Sequence, residues 1–283
     1  MSITLEHILK RVHDLPILPP LPTSVMRVIS LTKNPETSVK ELKTVIEQDP
    51  ALTAEILRQA NSAYYGYARR ISSLQEAIVM LGFQVIQGLA MSAAVAPLLK
   101  TKLLGYEIEQ DGLWKHSLLT AIAARWLCQY RKLPFGDVAF TAGLLHDIGK
   151  LITTNYVQEV GHYLLKGVTE TKLSYVELEE KGIGFDHARV GGFIARSWNL
   201  PDDLVAPISF HHSIISTYDH EELTSVIHVA NGIVTLLGFG GGVDSVFNPI
   251  QQEALDLLTI KESDLKLLMC DLEELLVDTT IFS

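Results

Sequence analysis

Asp49-Pro50-Ala51-Leu52-Thr53-Ala54-Glu55-Ile56-Leu57-Arg58-Gln59-Ala60 reads as a helix with its start signal attached. Asp49 suits the N-cap, because its carboxylate can accept from an amide that the first turn leaves unpaired. Pro50 then stands at the first helical position, where a missing N–H costs nothing. Ala51, Ala54, Ile56, Leu57 and Ala60 keep the helical period. Similar signals recur on both sides. Ser38-Val39-Lys40-Glu41 is a capping box opening an amphipathic helix to about Gln48, and Ser73-Leu74-Gln75-Glu76 is another, with its helix ended by Gly82. Further upstream, a short helix is expected over Thr4 to Val12, followed by an extended segment between Pro16 and Pro22. Downstream, Val85 to Val95 is apolar nearly all round and reads as a buried helix.

The pattern continues to the C-terminus. Helices are expected from about Gly112 to Tyr130, Asp137 to His146, and from Ser174 to the stop at Gly182 and Gly184. Asp186 caps the next and places His187 in its first turn, while Pro201-Asp202-Asp203 opens one that ends in His211-His212. Ser225 to Leu237, Pro249 to Leu258 and Asp264 to Val277 complete the set, with glycines 238, 240, 241 and 242 read as a flexible hinge. No alternating apolar-polar run of strand type competes. The expected fold is therefore all-α, in two packed helical subdomains that meet at the polar stretch Tyr106 to Asp111. Residues 1–104 form the first, 105–237 the second, and 238–283 a C-terminal helical extension.

Composition narrows the function. With 47% hydrophobic and 20% charged residues the chain can bury a large core, and its net charge of -10 argues against nucleic-acid binding. The most apolar stretch, Val85 to Leu99, is short for a bilayer and is interrupted by Gln87, Ser92 and Pro97, so no membrane partner is expected. The N-terminus lacks the order of a signal peptide. Cys128 and Cys270 lie in amphipathic stretches, read as small buried apolar residues, and give no disulfide framework. A cytoplasmic location follows.

Chemistry concentrates in Leu144-Leu145-His146-Asp147-Ile148-Gly149-Lys150, where imidazole and carboxylate stand side by side at the end of an apolar run. Such a pair suits borderline divalent ions. His116, His187 and the doublet His211-His212 lie on other helices or helix ends, so tertiary packing could gather all six side chains, as it does in metal sites of helical bundles. Lys150 has two readings: a contact for a substrate phosphate, or a solvated helix-end lysine. His7, His13, His162 and His220 sit in polar surroundings and read as surface residues.

The Leu144 to Lys150 stretch resembles the HD motif of the HD superfamily of metal-dependent phosphohydrolases. Asp186-His187-Ala188-Arg189-Val190-Gly191-Gly192 and Phe210-His211-His212 resemble later histidine motifs of its HD-GYP branch. The first hundred residues are instead similar to the HDOD (HD-related output) domain, through Leu18-Pro19-Pro20-Leu21-Pro22, Asp49 to Gly66, and Ile71 to Gly82. This resemblance, over roughly residues 15 to 230, implies an all-helical bacterial signalling domain whose second subdomain is an HD-like bundle. It implies one or two divalent ions, from Fe, Ni, Zn, Co or Mn, with His116 and His146 on one ion, His187, His211 and His212 on the other, and Asp147 bridging. If the centre is catalytic, Asp147 and Lys150 are its candidate catalytic residues.

Three departures weaken the enzymatic reading. Asn231 stands where the superfamily has a late aspartate, and an amide brings no charge. His228, three residues earlier on the same helix face, has two readings: a substitute ligand or, favoured, a packed core histidine. Gly112 occupies the position of a glutamate used for a third metal, and Ser213 to Tyr218 replaces the Gly-Tyr-Pro motif. The expected function is a signalling output domain that binds metal with little or no turnover, has a protein partner and accepts a phosphate-containing ligand. The alternative is a metal-dependent phosphohydrolase acting on a nucleotide or phosphodiester.

Overall fold

The computed structural model describes residues 18–67, 69–171, 173–214, 220–239, 242–244 and 249–276. The expected helix over Thr4 to Val12 lies outside these residues, as do His7 and His13. Among the described residues there is no β-strand, only an isolated antiparallel bridge between Leu103 and Ile108. The chain divides into two compact units, 20–97 with the last C-terminal residues from 270, and 98–269.

In the first unit, α1 (Thr23–Lys33), α2 (Val39–Glu47), α3 (Pro50–Ala60) and α4 (Leu74–Leu81) pack in sequence order, and α5 (Phe83–Leu99) leads out of it. The caps work as the residues suggest. Ser38 Oγ accepts from the Glu41 amide while Glu41 accepts from the Ser38 amide, and Asp49 Oδ1 accepts from the Leu52 amide at 3.0 Å. At Ser73 the box is only half made: its hydroxyl accepts from the Glu76 amide, but Glu76 reaches back to the Ser72 amide instead. Asn61 ties the end of α3 to the approach to α4, donating to the Leu57 and Ile71 carbonyls and accepting from the Ile71 amide.

The second unit is built on α6 (Gly112–Arg131), which is buried along most of its length and packs on α7 (Gly136–Leu145) and α12 (Glu221–Leu236). Around it stand α8 (Lys150–Glu170), α9 (Tyr175–Ile183), α10 (His187–Ser197), α11 (Asp202–Phe210) and α13 (Gln252–Leu258); α14 (Glu262–Leu276) follows, and only its residues up to 269 belong to this unit. Helices α1 and α8 were not anticipated. Gly149 reads in sequence as a stop, yet it is the residue from which α8 begins. Its backbone is ordinary right-handed; glycine is required by proximity, since a Cβ there would lie 1.9 Å from the His187 carbonyl oxygen. That approach presses the turn at 146–149 against the first turn of α10.

Cys128 is buried in α6, where desolvation pushes its thiol up to about 12. Cys270, in α14, is exposed, contrary to expectation. His162 is exposed and His220 half-buried. Among the described residues no helix is long and apolar enough to cross a membrane.

Candidate metal centre

Helix ends build the site. His146 and Asp147 occupy the turn between α7 and α8, His187 is the first residue of α10, His211 and His212 directly follow α11, and His116 projects from within α6. All six predicted ligands come together. Their donor atoms form two groups sharing Asp147, each with every donor within 4.8 Å of the others: His116, His146 and Asp147; and Asp147, His187, His211 and His212. All are buried except His212, which is half-buried.

Hydrogen bonds behind the rings orient them. His116 donates from Nδ1 to the Phe239 carbonyl (3.0 Å), His146 to Gly143 (2.7 Å) and His211 to Ile208 (3.0 Å). His187 donates from Nδ1 to the Glu179 carboxylate at 2.8 Å. A carbonyl can only accept, so these bonds fix the proton on Nδ1 and turn Nε2 inward, the arrangement typical behind metal-bound histidines. Asp147 splits its oxygens between the groups. Oδ2 lies 3.4 Å from Nε2 of both His116 and His146, while Oδ1 lies 3.3 Å from His187 Nε2 and 3.6 Å from His211 Nε2. His187 and His212 face each other with Nε2 atoms 3.1 Å apart, close to the separation of about 3.0–3.4 Å expected for two ligands of one ion at ordinary nitrogen–metal distances.

These residues fit a divalent metal. His146 Nε2, His211 Nε2 and Asp147 Oδ1 are fully buried and have no hydrogen-bond partner, a costly state that a central cation would relieve. Protonation does not relieve it at His211, because burial drives its imidazole down to about 3; burial likewise lowers His116 to about 4. Burial also lowers His212. At His187 burial opposes the charge, but Glu179 and Asp147 outweigh it and lift the ring to about 10. Burial likewise opposes ionisation of Asp147, and the surrounding His146 and Lys150 overcome it, holding the carboxyl well below its usual range.

Sequence reasoning missed two acidic residues here. Glu179, fully buried in α9, accepts from Nδ1 and the backbone amide of His187 and from the Tyr106 hydroxyl. Asp244, also buried, pairs with Lys150 at 2.6 Å. Lys150 itself is 2% exposed, which overturns the solvated reading. Its Nζ lies 2.6 Å from Asp147 Oδ2, so both contacts are carboxylates. His228 is a core histidine: Nδ1 donates to the His211 carbonyl (2.7 Å) and Nε2 accepts from the Gln251 amide (2.9 Å). Asn231 is 8% exposed and accepts from the Thr235 hydroxyl at 3.4 Å.

A cleft of about 440 Å³ opens on the His212 side, lined by Glu180, Asp186, Arg189, Phe210, His212 and Gln251 among others. Burial raises the Asp186 carboxyl to about 6.

The HDOD domain family matches residues 18–214. The chain belongs to the HDOD domain family. A Geobacter sulfurreducens structure, described as an HDOD domain protein with unknown function, is 27% identical with a TM-score of 0.74, over 96% of this chain and 94% of that one. A Shewanella amazonensis SB2B structure, provisionally named a phosphohydrolase, is 25% identical with a TM-score of 0.73, over 97% and 96%. A Treponema pallidum (strain Nichols) protein of uncharacterized function is 28% identical over 226 residues, covering 78% of this chain but only 42% of its own length. The chain thus spans less than half of that relative.

Proposed function

We propose that this HDOD domain is an output module of bacterial signal transduction that holds a divalent metal and turns over little or no substrate. The observation that carries the metal is the inward set of Nε2 atoms, oriented by Nδ1 bonds to carbonyls and Glu179, around both oxygens of Asp147. Histidine-rich donors favour Fe, Ni, Zn, Co or Mn over Mg. Low turnover is supported by the commitment of Lys150 to Asp147 and Asp244, which leaves a phosphoryl group no free ammonium at this position. The HDOD membership and the uncharged Asn231 point the same way. A protein partner is the expected recipient of the signal.

A second reading, a metal-dependent phosphohydrolase, has one specific support: the cleft reaches His212, so a phosphate-containing ligand has a route to the donor set. A bound metal would supply Lewis acidity toward phosphoryl oxygens. Within that reading Asp147 holds both donor groups together and Arg189 is the cation on the cleft wall. An activity screen of metal-loaded protein against nucleotides, cyclic nucleotides and a chromogenic phosphodiester separates the two. No turnover above the metal-free control is expected. Turnover abolished by His146→Ala would establish the phosphohydrolase instead.

A further inference from the structure

We infer that the first unit carries a ligand site of its own, a cleft at the end of α3 that takes a nucleoside monophosphate through Arg70, Arg58 and the ring of Tyr67. Every residue involved lies within 20–97, so the inference stands apart from the metal-holding reading.

The cleft encloses about 860 Å³ between the last turns of α3 and the loop that follows it, within the range of about 300–1,000 Å³ usual for small-molecule sites. Its frame is fixed from inside. Asn61 donates to the Ile71 carbonyl and accepts from the Ile71 amide, which pins the two ends of the loop together. Tyr67 is 41% exposed, yet its hydroxyl donates to the Met80 carbonyl at 3.3 Å. A ring that is anchored at its hydroxyl and still open to solvent loses little freedom when a planar partner stacks on it.

The chain as a whole is acidic, with a net charge of -10, but the charge at this cleft runs the other way. Glu55 accepts from Arg58 Nε at 2.9 Å and from Nη2 at 2.5 Å, and Glu76 pairs with Arg69 at 2.6 Å. Both carboxylates are thereby taken. Arg70 lines the cleft with no ion pair and no side-chain hydrogen bond among the described residues. Its guanidinium is the uncompensated charge, and its planar fork suits two oxygens of a phosphate. The Glu55 bonds hold Arg58 in place and leave its Nη1 for a further phosphate oxygen. A phosphate alone would make no use of the Tyr67 ring, and an uncharged base would make none of Arg70. A nucleoside monophosphate uses both.

The test is isothermal titration of the full chain with AMP, GMP and ribose 5-phosphate. EDTA is present throughout, so that no metal contributes, and circular dichroism checks the fold of each variant. The parent is expected to bind AMP or GMP, and ribose 5-phosphate more weakly. Arg70→Ala should weaken the nucleotide by about tenfold or more, the loss usual for a charged hydrogen-bond partner. Tyr67→Ala should weaken it by about fivefold or more and leave ribose 5-phosphate unchanged, while Tyr67→Phe should retain it, because stacking needs only the ring. Both side chains are exposed, so these variants should fold as the parent does. His212→Ala should bind as the parent does. A parent that takes up neither nucleotide at millimolar concentration would overturn the inference. So would folded Arg70→Ala and Tyr67→Ala proteins with parental affinity, ribose 5-phosphate bound as tightly as AMP and GMP, or binding lost in His212→Ala, which would move the ligand to the other cleft. None of these outcomes bears on whether the histidine cluster holds a metal.

Discussion

His228 spends both ring nitrogens on backbone groups, joining the His211 carbonyl to the Gln251 amide. It therefore orients a candidate ligand without being one. His228→Leu should leave those two groups unpaired and cost about 1–3 kcal/mol, read by urea denaturation of the metal-free protein. Metal stoichiometry should not change; loss of an ion from the folded variant would make His228 a ligand. The buried imidazoles also set a pH dependence for the metal-free protein. His116 falls from an ordinary 6.5 to about 4 and His211 to about 3, both through burial. Their folded-state values lie below the unfolded ones, so the unfolded chain takes up protons first as the pH drops below 6.5 and stability falls. For His116 alone that is about 3 kcal/mol between pH 6.5 and 4. Asp186, raised to about 6, opposes this by favouring the fold on acidification over part of the same range. His187, raised to about 10, contributes fully below 6.5 and is constant across the window. With His116, His211, His212 and His228 all lowered by burial against one raised carboxyl, the denaturation midpoint should fall from pH 6.5 to 4. A flat or rising midpoint would contradict that balance.

At the level of elements, the turn from α7 into α8 governs the site because it carries His146 and Asp147 and begins the helix of Lys150. Its geometry depends on Gly149 being small enough to touch the His187 carbonyl. Gly149→Ala would force the turn away from α10, at a cost of about 1–3 kcal/mol as an overpacked contact. It should also weaken metal binding, since Asp147 and His187 would separate. Thermal melting and metal analysis of the variant check both effects, and a variant with parental stability and metal content would show that the contact yields freely. This turn also marks where sequence reading worked and where it stopped. Ser38, Asp49, Ser174 and Asp186 were legible as caps because capping is a local bond, and the helices they open begin where expected. Helix α1 opens after Pro22 with no side-chain cap, and α8 opens on Gly149 with none, so neither carried a start signal.

Across the whole molecule, the six predicted donors were legible because each sits in its own local motif, on a helix end or against a doublet. Glu179 and Asp244 were not. Glu179 lies among Glu177, Glu180 and Lys181 and reads as part of a solvated face, while Asp244 follows a glycine run that reads as a hinge. Only tertiary packing buries them against His187 and Lys150. The same distribution makes a prediction about the folded chain. An ion that binds only the native state stabilises it by about 2.7 kcal/mol at a hundredfold excess over its dissociation constant. Its donors belong to the starts of α8 and α10, the ends of α7 and α11, and the interior of α6, all within residues 98–269. Hydrogen exchange with and without saturating metal should therefore show the largest gain in protection in peptides covering 144–153 and 187–212, where opening must break the ligand set. Peptides from the exposed part of α14 within that unit, near 262–267, touch none of these side chains and should change least. Protection gained equally along the unit would mean that the ion acts on its global unfolding alone. No gain at 187–212 would remove His187, His211 and His212 from the ligand set.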